Sequence, residues 1–365
     1  MLIPFQPPRW GTNPHFQTIS AALLGKIPGY TPRQVGLLNE SVVVPTQDDT
    51  GDRLFLHVHR FLGPENENSP VIVLIHGLEG SSDSLYIIKM ADKFLKAGFH
   101  VVRMNLRTCG AGVYLANHPY NAGLTIDVET VLEFARSRIS PYVAVIGFSL
   151  GANLVLKYMG EDRDERNRQR SVFRAPAIRG RIKDRIAGVF AAISPPLDLD
   201  ASCEFLDSPS CNTYRNIFLK EIKDRVYAGK FDGIHHDISE LKHIDNWFEF
   251  DHIYVAPSAG FRGAIEYYES AASRHYVHDI KTTGLVLHAY DDPLINPVGW
   301  DETNWEGLPW ITAHLTERGG HLGWIAKKHP FFSDRRWMDY RVLNYLIEWR
   351  DSVRSTAKKR IFALK

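Results

Sequence analysis

The chain carries only three cysteines, Cys109, Cys203 and Cys211, among 365 residues. Three is too few, and too odd a number, for a disulfide framework, and it fits a reducing compartment where thiols stay free. No apolar run approaches the ~20 residues that cross a bilayer as a helix. The opening from Met1 to Trp10 is proline-rich, without the charged start and apolar stretch of a secretory signal. The expectation is a cytoplasmic protein with no transmembrane segment. Charge of one sign is also missing. Lys and Arg number 43 against 42 Asp and Glu, a net charge of +1, so the basic excess that marks a nucleic-acid partner is absent. The basic run Lys358-Lys359-Arg360 reads as a solvated helix end. There is no internal repeat, and no early strand leads into the G-x-G-x-x-G spacing of a dinucleotide site. Histidines number 16, yet their densest cluster, His235-His236-Asp237, reads as a polar turn. His57 and His59 read as the exposed polar face of an edge hairpin with no third ligand nearby. No metal and no cofactor are expected.

What is present suits a globular enzyme. Hydrophobic residues make up 44% and charged residues 23%, near the average for soluble domains and enough for a large core. Residues 1–40, rich in Pro, Gly and Asn, read as an N-terminal arm lying over the domain. Strand-like stretches follow at 41–44 and 54–61. Continuous apolar runs at Val71–Ile75, 101–104, 143–146 and 186–193 mark strands buried on both faces of a parallel sheet. Helical patterns at 85–97 and Thr125–Arg138 lie between them, and runs at 285–289 and 311–315 complete the sheet late in the chain. This order predicts an α/β fold with a doubly wound, mostly parallel sheet. From about Asp198 to Asp279 the pattern changes to charged helical stretches (216–228, 239–246, 264–274) between aromatic and Gly/Pro-rich turns. The expected organisation is a core from 41 to 197, a helical cap or lid from 198 to 280, and the rest of the core from 281 to 365. The charge-dense stretch 161–170 reads as a solvated helix end or loop.

Gly147-Phe148-Ser149-Leu150-Gly151 matches G-x-S-x-G, a weak signal alone. Its setting adds force, because a buried strand runs into it and a helix begins at once. So tight a turn forces strained backbone geometry on Ser149 and holds its hydroxyl above the carboxyl edge of the sheet. A serine hydroxyl needs a base, and in such folds the partners follow in the order acid, then histidine. The run 285–289 leads into Asp291-Asp292-Pro293, where Asp292 is the expected acid and Asp291 a possible turn cap. The run 311–315 leads into Gly319-Gly320-His321-Leu322-Gly323, and the flanking glycines make His321 a mobile loop residue suited to general-base work. His288 and His314, inside strands, and His329, beside a proline, suit core or surface roles better. Backbone N–H groups of Leu150 and of Leu78, in the turn His76-Gly77-Leu78-Glu79-Gly80, are the expected oxyanion donors.

With these motifs the chain resembles the YheT-like branch of the α/β-hydrolases, the AB-hydrolase type 4 family that includes the eukaryotic abhydrolase domain-containing proteins 1 to 3. The resemblance is carried by Arg9-Trp10-Gly11-Thr12-Asn13-Pro14-His15-Phe16-Gln17-Thr18-Ile19 and by His76-Gly77-Leu78-Glu79-Gly80-Ser81-Ser82. The elbow with Ala152-Asn153, the Ala289-Tyr290-Asp291-Asp292-Pro293 stretch and the His321 loop add to it. It implies the triad Ser149, Asp292, His321 and esterase activity on carboxylic esters, lipid esters among them. Eukaryotic members carry an N-terminal membrane anchor, and without one the chain looks more like the bacterial members. A second departure is Thr108, in Leu106-Arg107-Thr108-Cys109-Gly110, where the family usually has glycine.

The leading expectation is therefore a cofactor-independent ester hydrolase working through an acyl-enzyme. Aromatics of the insertion (Trp247, Phe248, Phe250, Tyr254, Phe261, Tyr267, Tyr268) are candidates to line an acyl pocket, and the segment from Trp10 to Ile19 is a candidate clasp or cleft wall. An acyltransferase would use the same triad, and a non-catalytic binding protein would keep only the fold.

Overall fold

The computed structural model describes residues 3–22, 30–66, 68–161, 186–228 and 238–363. The charge-dense stretch from 162 to 170 and the His235-His236-Asp237 cluster lie outside the described residues.

Eight strands form one sheet: β1 (Leu37–Pro45), β2 (Arg53–Phe61), β3 (Val71–Ile75), β4 (His100–Met104), β5 (Val143–Phe148), β6 (Ala187–Ile193), β7 (Gly284–Ala289) and β8 (Ile311–Thr316). Their spatial order is β1-β2-β4-β3-β5-β6-β7-β8. The β1–β2 hairpin and the β2–β4 pair are antiparallel, and all pairs from β3 to β8 are parallel. Every residue of β3, β4, β5 and β7 is buried, as continuous apolar runs require of parallel strands covered on both faces.

Alternation along the strands builds two cores. Val71, Val73 and Ile75 face one way and pack with residues of α3 (Thr125–Arg138) and α4 (Leu150–Gly160), including Val128, Leu132, Leu154 and Val155. Ile72 and Leu74 face the other way and meet Ile87, Phe94, Met338 and Val342 of α2 (Leu85–Lys96) and a long C-terminal helix (Trp337–Ala363). Each fully buried Val, Ile or Leu contributes roughly 1.5–3 kcal/mol relative to exposure, so the sheet is a rigid platform.

Between β6 and β7 the described chain is helical. Asp198 caps α5 (Leu199–Asp207) by accepting from Ala201 N, and α6 (Asn212–Tyr227) follows. A one-turn helix, Trp247–Phe250, runs into a π-helical turn, Asp251–Val255, and α7 (Ala264–Ala271) precedes β7. These elements share a third core containing Phe250, Tyr254, Tyr267 and Tyr268.

One expectation needs correcting. His57 and His59 do not form an exposed polar face, because β2 is not an edge strand: β1 covers one side and β4 the other. His59 is 2% exposed; its Nδ1 lies 2.6 Å from Asn39 Oδ1 and its Nε2 accepts from Arg103 Nε at 3.0 Å. Burial, with the Arg103 charge alongside, pushes its pKa down to about 3, so it stays neutral.

Candidate active site

Ser149 sits between the last residue of β5 and the first of α4, at φ 54° and ψ −122°. A non-glycine residue reaches that region only when its surroundings force it there. The forcing is visible on either side: a methyl group at Gly147 would lie 2.1 Å from the Gly151 carbonyl oxygen, and one at Gly151 would lie 2.5 Å from His76 O. The elbow is also pinned to its neighbour strand, with Ser149 N donating to Ile193 O at 2.8 Å.

The loop after β3 arches over this turn. Gly77 N donates to Tyr86 Oη, Glu79 N to Tyr120 Oη, Gly80 N to Gly77 O, Ser81 N to Ser84 Oγ and Ser82 N to Asn105 Oδ1. Leu78 is left as the loop position whose N–H has no protein partner among the described residues. Leu150 N, at the first position of α4, is one of the donors that a helix start leaves unpaired. Leu78 and Leu150 line the same cavity as Ser149. Glu79, at φ 52°, is fixed by Tyr120, whose hydroxyl donates to Glu79 Oε1 at 2.7 Å. Arg225 of α6 closes an ion pair on the same oxygen, tying the insertion to the loop.

Asp292 and His321 meet as the sequence predicts, with His321 Nδ1 2.8 Å from Asp292 Oδ2. The other Asp292 oxygen accepts from Leu294 N at 2.9 Å and Ile295 N at 3.1 Å. Although burial opposes its charge, the neighbouring His321 and these donors hold the Asp292 pKa below its ordinary value, keeping a carboxylate beside the ring. Asp291 does a different job: its Oδ1 accepts from Gly320 N at 2.8 Å, bracing the histidine loop. His288 is a core residue stacked on Trp300 at 5.7 Å. Among the described residues neither of its ring nitrogens has a hydrogen-bond partner, and burial pushes its pKa down to about 4. His314 stays in β8, its Nδ1 accepting from Arg341 Nε at 3.4 Å.

Sequence reasoning missed what holds the histidine loop from outside. Thr18 Oγ1, on α1 (Pro14–Ala22), accepts from His321 N at 2.9 Å and donates to Pro14 O at 2.8 Å. Gln17 next to it accepts from Ile325 N at 2.6 Å and donates to Gly11 O and Ile325 O. Both side chains are buried. The available signal was the place of Gln17-Thr18 within the motif that resembled the family.

Thr108 finds its explanation in the backbone. Its φ is 59°, a region that favours glycine, and its Oγ1 donates to Arg107 O at 2.6 Å. The segment is clamped by Arg107, which is wholly buried among Asp48, Asp52 and Asp127. All three cysteines are buried, and none is joined in a disulfide among the described residues.

Two cavities meet at Ser149. The first runs under the insertion, lined by Leu150, Leu199, Leu206, Ile222, Val255 and, among others, Trp247, Asp251, Tyr267 and Tyr268. The second is lined by His321, Thr18, Gly77, Tyr214, Phe218 and neighbours. Of the candidate aromatics, Trp247, Tyr267 and Tyr268 therefore reach the site, Phe250 and Tyr254 pack inside the insertion, and Phe248 is exposed.

Comparison with known proteins agrees with this architecture. The profile described as the alpha/beta hydrolase fold matches residues 70–168. A monoacylglycerol lipase of Saccharomyces cerevisiae is 25% identical over 333 residues, covering 86% of this chain and 68% of that protein. YheT of Escherichia coli is 24% identical over 356 residues, covering 95% of this chain and 94% of that protein. Among solved structures, an esterase of Pyrococcus furiosus superposes with a TM-score of 0.55 at 16% identity, covering 95% of this chain and 98% of that one, a likeness of fold. The chain has the α/β-hydrolase fold, and the proteins it is similar to include YheT and a monoacylglycerol lipase.

Proposed function

We propose that this protein is a serine esterase that hydrolyses carboxylic esters, lipid esters among them, through an acyl-enzyme on Ser149. In this reading Ser149 Oγ attacks the ester carbonyl carbon while His321 takes its proton. Asp292 fixes the ring with Nδ1 protonated, so that Nε2 is the accepting nitrogen, and steadies the imidazolium that forms. The negative charge gathering on the carbonyl oxygen is met by the N–H groups of Leu78 and Leu150, an effect worth roughly 3–4 kcal/mol per donor in acyl transfer. The carbon–oxygen bond then breaks and the alkoxide leaves with the proton from His321. A water molecule, losing its proton to His321, releases the acid and restores the serine.

The two cavities suggest how the ester lies. The leaving oxygen must face its proton donor, so the alcohol belongs in the cavity lined by His321 and the acyl chain in the cavity under the insertion. The apolar walls of the latter favour an acyl chain, and the name of the yeast relative supports a lipid ester.

The observation that carries this reading is the 2.8 Å contact of His321 with Asp292, in a site whose serine is held at positive φ. The test is a panel of esters of graded acyl length on wild type and Ser149→Ala, with fluorophosphonate labelling of both. Hydrolysis and labelling in the wild type, both lost in the variant, are expected. Activity that survives in Ser149→Ala would sink the mechanism. Adding an acceptor alcohol and measuring the partition between acid and new ester separates hydrolysis from acyl transfer.

A further inference from the structure

The turn after β3 begins with a titratable side chain that the proposed mechanism leaves idle. His76, the first residue past the strand, is fully buried. Its Nε2 lies 3.1 Å from Leu106 N. A backbone N–H can only donate, so Nε2 accepts without a proton of its own and the single ring proton sits on Nδ1. That Nδ1–H faces Gly77 O at 2.8 Å. Gly80 N donates to the same oxygen at 3.0 Å. A methyl group at Gly80 would come within 3.0 Å of both Gly77 O and His76 Nδ1, so two donors grip this carbonyl in a space with no room for a side chain.

Gly77 O and Leu78 N belong to one peptide unit. A trans peptide is planar, with its C=O and N–H pointing in opposite directions, so whatever fixes the oxygen also aims the N–H. This unit needs fixing. Turning it over changes chiefly Gly77 ψ and Leu78 φ, and glycine accepts backbone angles that other residues refuse. A flipped unit would present a carbonyl oxygen where the N–H belongs, repelling the charge that gathers on the ester oxygen. Gly77 packs directly on the nucleophile, since a methyl group there would lie 2.8 Å from Ser149 Cβ. The far side of the ring is anchored as well: Leu106 precedes Arg107, which is held among Asp48, Asp52 and Asp127, so Leu106 N is a fixed point.

Resting on the esterase reading, we infer that His76 is a positioning residue of the oxyanion site: its Nδ1–H holds the Gly77 carbonyl and thereby aims the Leu78 N–H at the ester oxygen. Leu106 N sets the tautomer that makes Nδ1 the donor. The ring touches no substrate and exchanges no proton; it acts only through the Gly77–Leu78 peptide.

The experiment separates the two ends of the ring. In His76→Asn the amide nitrogen takes the place of Nδ1 and still donates to Gly77 O. In His76→Gln the amide reaches the place of Nε2 and serves Leu106 N instead. The glutamine variant is expected to lose about 100-fold in kcat, the scale of one oxyanion donor. Its KM should change by less than about threefold, as for an interaction made only in the transition state, and fluorophosphonate labelling of Ser149 should slow in step. The asparagine variant should stay within about tenfold of wild type, with a similar denaturation midpoint. Losses in kcat that are alike in both variants and follow their losses in stability overturn the inference, as does wild-type kcat in His76→Gln. Nitrogen NMR of the His76 ring in the wild type decides the point even where neither variant folds. A proton on Nδ1 supports the clamp, and a proton on Nε2 overturns it whether or not esters are cleaved. A wild type that shows the Nδ1 proton yet neither cleaves esters nor takes the label removes the esterase reading and leaves the clamp on Gly77 O standing.

Discussion

Replacing Asp292 by asparagine should disable the site without disturbing its shape, and the hydrogen bonds explain why. Asp292 Oδ1 accepts from two backbone N–H groups, Leu294 and Ile295. An asparagine must keep its oxygen there, because its NH2 group would face two donors. Its amide nitrogen then points at His321 Nδ1, where Oδ2 now lies at 2.8 Å. The ring must accept at Nδ1 and carry its proton on Nε2, the wrong tautomer for taking a proton from Ser149. Wrong-tautomer substitutions of this kind cost about 10⁴-fold in kcat, or ~5.4 kcal/mol of transition-state stabilisation. The assay is steady-state hydrolysis of a short ester by folded wild type, Asp292→Asn and Asp291→Asn, with circular dichroism to check the fold. Asp291 braces the backbone of Gly320 and Gly319 and does not touch the His321 ring, so Asp291→Asn, which keeps an acceptor, should stay within about tenfold of wild type. If Asp292→Asn kept a tenth of the activity, or Asp291→Asn lost as much as its neighbour, the assignment of the acid would be wrong.

Gly77→Ala should act directly on the nucleophile, since a methyl group there would lie 2.8 Å from Ser149 Cβ and 3.1 Å from Phe148 O; displacing the hydroxyl by even ~1 Å is expected to cut kcat about 100-fold, with near-normal activity as the contrary result. Arg225→Met should lower stability by up to about 3 kcal/mol by removing the cation beside the buried Glu79 carboxylate while its Tyr120 hydrogen bond stays. The double variant with Glu79→Gln should recover much of that loss, and additive losses in chemical denaturation would count against a coupled pair. Asp251→Asn should stabilise the protein more at pH 8 than at pH 4. The fold raises the Asp251 pKa to about 7, favouring the protonated acid, so wild type loses that contribution as pH rises between the ordinary carboxylate value and 7. The facing groups Asp207, Tyr268 and Cys203 are unchanged in the variant, so a gap in denaturation midpoint that does not widen with pH counts against the raised pKa.

Strands β3 to β7 were legible because strands buried on both faces leave mainly apolar runs, while β8, an edge strand that is mostly part-exposed, was legible by its place before the histidine loop. The elbow was legible because its glycines and its strand-to-helix context sit within a few residues. His59 was misread, since the alternation of β2 says which residues share a face but not what covers that face. The β1 hairpin and Arg103 supply the cover, and neither is encoded near residue 59. Thr108 looked like a departure from family geometry, while its side chain stabilises the same left-handed turn through Arg107 O. Trp247 was among the aromatics expected at an acyl pocket, whereas Asp251 carried no signal, because its neighbours Asp207 and Tyr268 come from α5 and α7. The segment holding Gln17 and Thr18 read only as a clasp or cleft wall, and its target was not legible for the plainest reason: Thr18 lies 303 positions from the histidine it holds.

That last contact makes the proposed base, His321, depend on the closing of nearly the entire chain. The sheet around Ser149 is built from segments that can pair without α1, and the elbow draws its geometry from β5, β6 and the loop after β3. The histidine loop instead waits for a helix from the far end of the sequence to arrive. Long-range contacts of this kind carry the largest loop-closure cost and tend to form late in folding. Enzymatic activity in this protein would therefore report on the docking of α1, falling away under mild denaturant while the circular dichroism of the sheet was still intact.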